Sequence, residues 1–317
     1  MRKSAYFLLL IYLIVSCGGS PRSKVTTAVA GQSEVEMPPV PELPLPSVPE
    51  TLRTPEDRAA YIIRHFWDAM DFSDTTLSRN QGFIEQNFAN YISLYPILER
   101  GSDVLSDATK KLVSASEADD AAFHLLAETA EKYLFDPNSP MLDEESYIFF
   151  LEAFLDSGKT DEFSRSRYSR QLSAVLKNRP GMTAADFSYI TREGGASTLL
   201  KTGIEGDYLL LMFYDPDCEH CKETLAAMAQ EPMFTEPESN GGIKVLAVYA
   251  DGNLDLWNST AKSLPAAWTV AFDTGDIYGN DLYVFRAMPS LYLLDRNKRI
   301  ILKDASLYRL YGYFSGE

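Results

Sequence analysis

Cys218 and Cys221 stand three residues apart in the stretch Asp217-Cys218-Glu219-His220-Cys221, a spacing at which two thiols can close a disulfide with each other and open it again. In such exchange a thiolate attacks a disulfide sulfur, forms a mixed disulfide and is released by the second thiol. The pair follows an apolar run at 208–214 and opens a segment of helical pattern at 219–230. At a helix N-terminus the free amides and the dipole stabilise an anion, which favours Cys218 as the attacking thiolate and Cys221, one turn on, as the resolving thiol. His220, when protonated, pulls the same way, whereas Asp215, Asp217 and Glu219 disfavour a thiolate beside them. The direction of electron flow therefore stays open at this level. Glu219 and Glu223 are the carboxylates nearest in sequence that could take the resolving thiol's proton, and each reads equally well as a solvated helix residue. Three acids in five residues also make a rim that would select basic partners, or simply reflect an acidic surface.

Two other uses of the pair are weaker. A structural zinc site needs four ligands, and the chain has three cysteines in all, so no metal is assigned. A purely structural disulfide across so short a loop would remove little chain entropy. Peroxide chemistry of the peroxiredoxin kind wants a threonine three residues before its cysteine, where this chain has Asp215. Dithiol exchange requires no dissociable cofactor.

The elements that must position the pair are readable as buried strands. Continuous apolar runs at 208–214 and 243–250, separated by the helical segment, predict a parallel β-α-β crossover; 291–294 and 300–303 predict a closing hairpin. Upstream the pattern is helical. Thr54, Pro55 and Asp57 form a helix start, followed by an apolar stripe at Ala59, Ile62, Ile63, Phe66, Trp67 and Met70 and a second at Ile84, Phe88, Tyr91, Ile92 and Tyr95. Further helices are predicted over 103–117, 119–135, 143–157 and 161–177, giving an all-helical region over 54–178 without a fixed-period repeat.

Before Thr54 the sequence changes character. Arg2 and Lys3 precede an unbroken apolar run over 5–15, too short for a bilayer span of about 20 residues but suited to a signal peptide. It runs into Ile14-Val15-Ser16-Cys17, which resembles a bacterial lipobox and implies lipidation of Cys17 after removal of 1–16. The stretch that follows, up to residue 53, contains Pro38, Pro39, Pro41, Pro44, Pro46 and Pro49 and predicts a semi-rigid tether. With 45 acidic against 29 basic residues and a net charge of −16, nucleic acid is excluded as a partner, because phosphate binding needs a basic footprint.

From 182 to about 305 the chain resembles the thioredoxin-like reductases of the TlpA/ResA group. Ala185-Asp186-Phe187 is similar to that family's opening stretch, 213–221 to its strand and Cys-x-x-Cys helix, and Met288-Pro289 to its cis-proline. The resemblance implies an α/β thioredoxin-like fold, with Pro289 in cis against the cysteines and the backbone of Met288 pairing with a substrate chain. Read alone, Pro289 would also suit a strand edge. Asp217 replaces the family's tryptophan, and Met212 stands where thioredoxin has a buried acid. The chain beyond Ala305 is short, so the last helix of that fold is expected to be trimmed, exposing one sheet face. Tyr61-Ile62-Ile63-Arg64-His65-Phe66-Trp67-Asp68 and Asp71-Phe72-Ser73-Asp74 resemble an uncharacterised helical domain that precedes thioredoxin-like domains in bacterial lipoproteins.

The sequence thus predicts an all-α domain (54–178) followed by an α/β thioredoxin-like domain (182–317), behind a signal peptide (1–16) and a lipidated tether (17–53). The expected role is a thiol-disulfide oxidoreductase of the cell envelope, facing the periplasm and anchored, more in keeping with the outer membrane, through Cys17. Cys218 and Cys221 would be catalytic, His220 and Glu219 would tune them, and Met288 and Pro289 would receive the substrate. Its partners would be disulfide-bearing proteins and a membrane-bound electron donor. Disulfide isomerase or oxidase activity, and a scaffold in which the helical domain captures a partner, are the competing expectations.

Overall fold

The computed structural model describes residues 42–99, 101–236, 242–250 and 252–316. Seven helices come first: α1 (Pro55–His65), α2 (Thr75–Ser78), α3 (Gln81–Ile92), α4 (Asp103–Ser116), α5 (Asp120–Leu134), α6 (Glu144–Asp156) and α7 (Glu162–Val175). Their starts are set by side chains that accept the first free amides. Thr54 caps Asp57, Asn80 caps Phe83, Asp119 caps Ala122 and Asp161 caps Ser164, at 2.8–3.0 Å. The apolar faces meet in one aromatic-rich core in which Phe88, Tyr91, Phe150, Leu151 and Phe154 are fully enclosed.

Two local departures from the sequence pattern have simple causes. The first stripe runs to Met70, but α1 stops at His65. Beyond it the Asp68 and Met70 amides bond carbonyls three residues back, at 3.2 and 3.0 Å, a tighter turn that still buries Phe66, Trp67 and Met70. The tether expected over 17–53 is described only from Glu42. There Leu43 packs on the helical core and its amide donates to Asn87 Oδ1 at 2.8 Å, so this end of the stretch lies along the helices instead of standing free.

The second half is a seven-stranded mixed sheet in the order β2-β1-β5-β4-β3-β6-β7. Its elements are β1 (Ser188–Thr191), β2 (Ala196–Thr198), β3 (Tyr208–Phe213), α8 (Glu219–Met228), α9 (Pro232–Thr235), β4 (Ile243–Tyr249), α10 (Leu254–Thr260), β5 (Thr269–Asp273), α11 (Asp276–Gly279), β6 (Ser290–Asp295), β7 (Ile300–Leu302) and α12 (Leu307–Ser315). β3, β4 and β5 run parallel, while β6 is antiparallel to β3 with Phe213 opposite Ser290. Strand alternation splits β3 between two cores: Leu210 and Met212 face the side of α8, α9, α10 and α12, and Leu209, Leu211 and Phe213 face Phe187, Ile277 and Tyr283. At about 1.5–3 kcal/mol per fully buried large apolar side chain, β3 alone anchors the sheet strongly.

The last helix, α12, is short as expected, but it covers the sheet face expected to be exposed. It spans nine residues, is capped by Ser306 and buries Leu310 against the first of these cores. Two of its aromatic residues, Tyr311 and Phe314, pack on the same core and supply the apolar contact that so short a helix needs. Among the described residues no helix is long and apolar enough to cross a membrane.

The helical and sheet regions are joined by polar contacts of high density. Arg179 holds the Glu145 carboxylate through two bonds, at 2.9 and 2.6 Å. Gly181 N–H donates to Ile300 O at 2.7 Å, and Asn178 bridges Leu282 O and the Ala185 amide at 2.8 and 2.9 Å. Lys303 Nζ donates to Lys177 O at 2.7 Å and pairs with Glu144 at 2.7 Å.

Candidate redox site

β3 delivers the chain to the site. After Phe213 the Tyr214 amide still bonds Val248 O at 3.0 Å, and the chain then turns through Asp215 and the buried Pro216, with Cys218 N–H donating to Asp215 O at 3.2 Å. Asp215 Oδ1 also accepts from the Asp217 amide at 2.9 Å, which fixes the turn. Cys218 is thereby the N-cap of α8, in extended conformation, and its sulfur accepts the Cys221 amide at 3.4 Å. A cap position normally holds an oxygen acceptor; here a sulfur fills it, and a thiolate would fill it better.

The two thiols are free and differ in exposure: Cys218 is half-buried and Cys221 fully buried. Burial pushes the Cys221 thiol up to about 12; the Asp215 amide, which donates to its sulfur, acts the other way. The neighbouring Cys218 and the charge of Asp215 add to the rise. Cys221 is therefore held as a thiol in the reduced protein, and Cys218 is the sulfur that an incoming disulfide can meet.

The Met288-Pro289 peptide bond is cis, and Cys218 Sγ lies 3.7 Å from Met288 O. Met288 itself is half-buried and touches the cores on both faces of the sheet. The structure thus brings Cys218, Cys221, Met288 and Pro289 together. Glu219 stands apart from them, and His220, though it shares a cleft with Met288 and Pro289, has its side chain turned to solvent. His220 is 73% exposed and sits 3.6 Å from Glu223, and Glu219 is 80% exposed beside Lys222 at 3.4 Å. The carboxylate whose charge acts on Cys221 is Asp215, so the nearest acid in sequence is not the one that matters electrically. Cys17 lies outside the described residues, as does all of 1–16.

Sequence reasoning missed a set of residues behind the cis-proline loop. Arg286, two residues before Met288, pairs with Glu144 at 2.5 Å and Asp304 at 3.4 Å, lies over the Phe135 ring at 4.4 Å and donates to Phe135 O. Ser290 Oγ donates to Asp304 at 2.5 Å. Burial raises Glu144 above the usual carboxylate range although Lys303 and Arg286 oppose it. The one visible signal was a lone Arg in the apolar run Tyr283-Val284-Phe285-Arg286-Ala287-Met288.

A sheet of this order, a cysteine pair at the start of α8 and a facing cis-proline define a thioredoxin-like fold behind a helical domain. Residues 16–178 match the family described as a domain of unknown function (DUF5106), and the chain belongs to that family. A thioredoxin-like protein from Bacteroides caccae is similar at 31% identity with a TM-score of 0.77, over 88% of this chain and 100% of its own. A conserved protein of unknown function from Bacteroides fragilis is 42% identical over 43% of this chain and 98% of its own, with a TM-score of 0.40. The C-terminal domain of an uncharacterized protein from the same species is 35% identical over 44% and 99%, with a TM-score of 0.42. No curated protein matches the chain.

Proposed function

We propose that this protein is a thiol-disulfide oxidoreductase that works as a disulfide reductase. The observation that carries the reading is the asymmetry of the pair: a reachable Cys218 capping α8 against Met288 O, and an enclosed Cys221 held protonated behind it. The Cys218 thiolate attacks one sulfur of a substrate disulfide, and the other sulfur leaves as a thiolate that takes up a proton. Cys221 then loses its proton and attacks Cys218 Sγ, releasing the second substrate thiol and leaving the Cys218–Cys221 disulfide. Two electrons and two protons pass to the substrate, and a dithiol donor at the membrane would return the pair to the reduced state.

Reduction is favoured over oxidation by the position of His220. Turned to solvent beside Glu223, it gives a Cys218 thiolate little support, whereas Asp215 lies in the redox turn itself. The helix start is then the support that a Cys218 thiolate has, without an added cation against it, which favours an electron-donating pair over a strongly oxidising one. Equilibration of the full chain with thiol buffers tests this. A potential near or below about −230 mV supports the reductase; about −120 to −180 mV would make it an oxidase or isomerase.

The same proposal places the protein in the cell envelope, held by lipid on Cys17. The support is the lipobox-like Ile14-Val15-Ser16-Cys17 behind a short apolar run. Replacing Cys17 by alanine should release the protein from membranes, and a variant that stays bound would contradict the anchor.

A further inference from the structure

A cleft of about 720 Å3 opens beside Met288 and Pro289, and two of its walls lie outside the sheet. His220 and 287–289, termed the floor, line it on the side of the redox turn. One wall is α12, with Tyr308, Arg309 and Tyr313; the other is the loop between α5 and α6, at 137–140 and Leu142, which belongs to the helical region. The volume lies within the range of about 300–1,000 Å3 in which ligand sites enclose most of a bound group.

The loop wall is tied to the 287–289 segment by Arg286. Arg286 grips both ends of the loop, through Phe135 O and the Phe135 ring before it and through Glu144 after it. Inside the loop the Asn138 amide bonds Asp136 Oδ1 at 2.8 Å and Ser139 Oγ bonds Tyr133 O at 2.6 Å, and Pro137 and Pro140 restrict the rest. Since Arg286 is two residues from Met288 and also lines the cleft, one side chain links the loop wall to the cis-proline segment.

Two features identify the occupant. Among the described residues, no backbone group of Ala287 pairs with another backbone group, and neither does the Met288 amide, so the floor offers an edge to an extended chain. On the α12 wall Tyr308 is 83% exposed, while Tyr313, 40% exposed, has its ring edge-on to Tyr208 and Phe314; Leu142 and two prolines are the apolar residues of the other wall. We infer that the helical domain supplies one wall of the substrate site, and that the cleft receives an extended polypeptide with an aromatic or large aliphatic residue next to its reactive cysteine. This names the substrate class of the proposed reductase and rests on that reading for the site's use in turnover, but the binding itself does not need the chemistry.

The test is therefore a binding measurement on the reduced full chain. Two fluorescent peptides differ only in carrying phenylalanine or glycine beside a serine that replaces the reactive cysteine, and anisotropy gives their affinities. The phenylalanine peptide is expected to bind at least tenfold more tightly. Tyr308→Ser, and separately the double change Pro137→Gly with Pro140→Gly, should each reduce that preference at least threefold, whereas Phe163→Ser, an exposed aromatic on α7, should keep it. Equal binding of the two peptides, or a preference that survives both cleft variants, would overturn the inference. A variant that unfolds loses both peptides alike and is recognised by circular dichroism; the other cleft variant then decides. Failure of the chain to reduce any disulfide would remove the proposed function and leave this result standing.

Discussion

Glu219 and Glu144 each occupy the first position of a helix, α8 at the redox turn and α6 at the junction of the two regions, yet their surroundings differ. Glu219 is 80% exposed with Lys222 at 3.4 Å, while Glu144 is 11% exposed between Lys303 at 2.7 Å and Arg286 at 2.5 Å. An exposed pair gains about 0–1 kcal/mol, because water screens it and two long side chains must be held still. A buried one has already lost its hydration and depends on its partners. The comparison teaches where this protein invests its ionic interactions: in fixing the loop that carries Met288, and little at the residues flanking the cysteines.

The largest effect that would sharpen this contrast is expected from Glu144→Ala. It leaves Arg286 and Lys303 enclosed without their shared carboxylate, a change that costs about 3–5 kcal/mol in comparable settings. Urea unfolding should show a lower midpoint; a loss under about 1 kcal/mol would mean that the cluster rehydrates and braces nothing.

An intermediate effect is expected from pH acting on Cys221. Its folded pKa lies at about 12, above the ordinary thiol value of about 8.5. The contribution of the protonated thiol is thus fully present below about pH 8.5 and is lost as pH rises toward the folded value. Between pH 8 and 10 the reduced protein should lose about 2 kcal/mol more stability than Cys221→Ala. Identical pH profiles for the two proteins would show that Cys221 is not held as a thiol.

The smallest effect belongs to Glu219→Gln, expected to change stability by no more than about 0.5 kcal/mol. A larger loss would break the comparison by giving the redox turn a structural ion pair.

How much of this was legible in the sequence follows from what each element must bury. β3, β4 and β6 are enclosed on both faces and read as apolar runs, and the short apolar β7 was read with β6 as a hairpin. β1 and β2 are four and three residues long and too short to show a period. β5 ends on Asp273, a buried acid that reads as a loop residue until its carboxylate is seen to accept the Asp276 and Ile277 amides at 3.2 and 3.3 Å. The cysteines were readable from their types and spacing, and Met288-Pro289 only through the family resemblance, since Pro289 alone suits a strand edge equally well. Arg286, Glu144 and Asp304 were not, since they come from three distant stretches and only the fold gives them a common environment. Glu144 at the head of a helix looks like any acid favoured by the dipole, and Tyr308 looks like one more aromatic residue until it is found facing outward.

The central claim is the division of labour between an available Cys218 and a withheld Cys221, and alkylation of single-cysteine variants at pH 8 tests it most directly. With Cys221→Ser the remaining Cys218 should react with iodoacetamide at least a hundredfold faster than Cys221 does with Cys218→Ser, because a thiol near 12 is almost wholly protonated there. Comparable rates for the two variants would contradict the account.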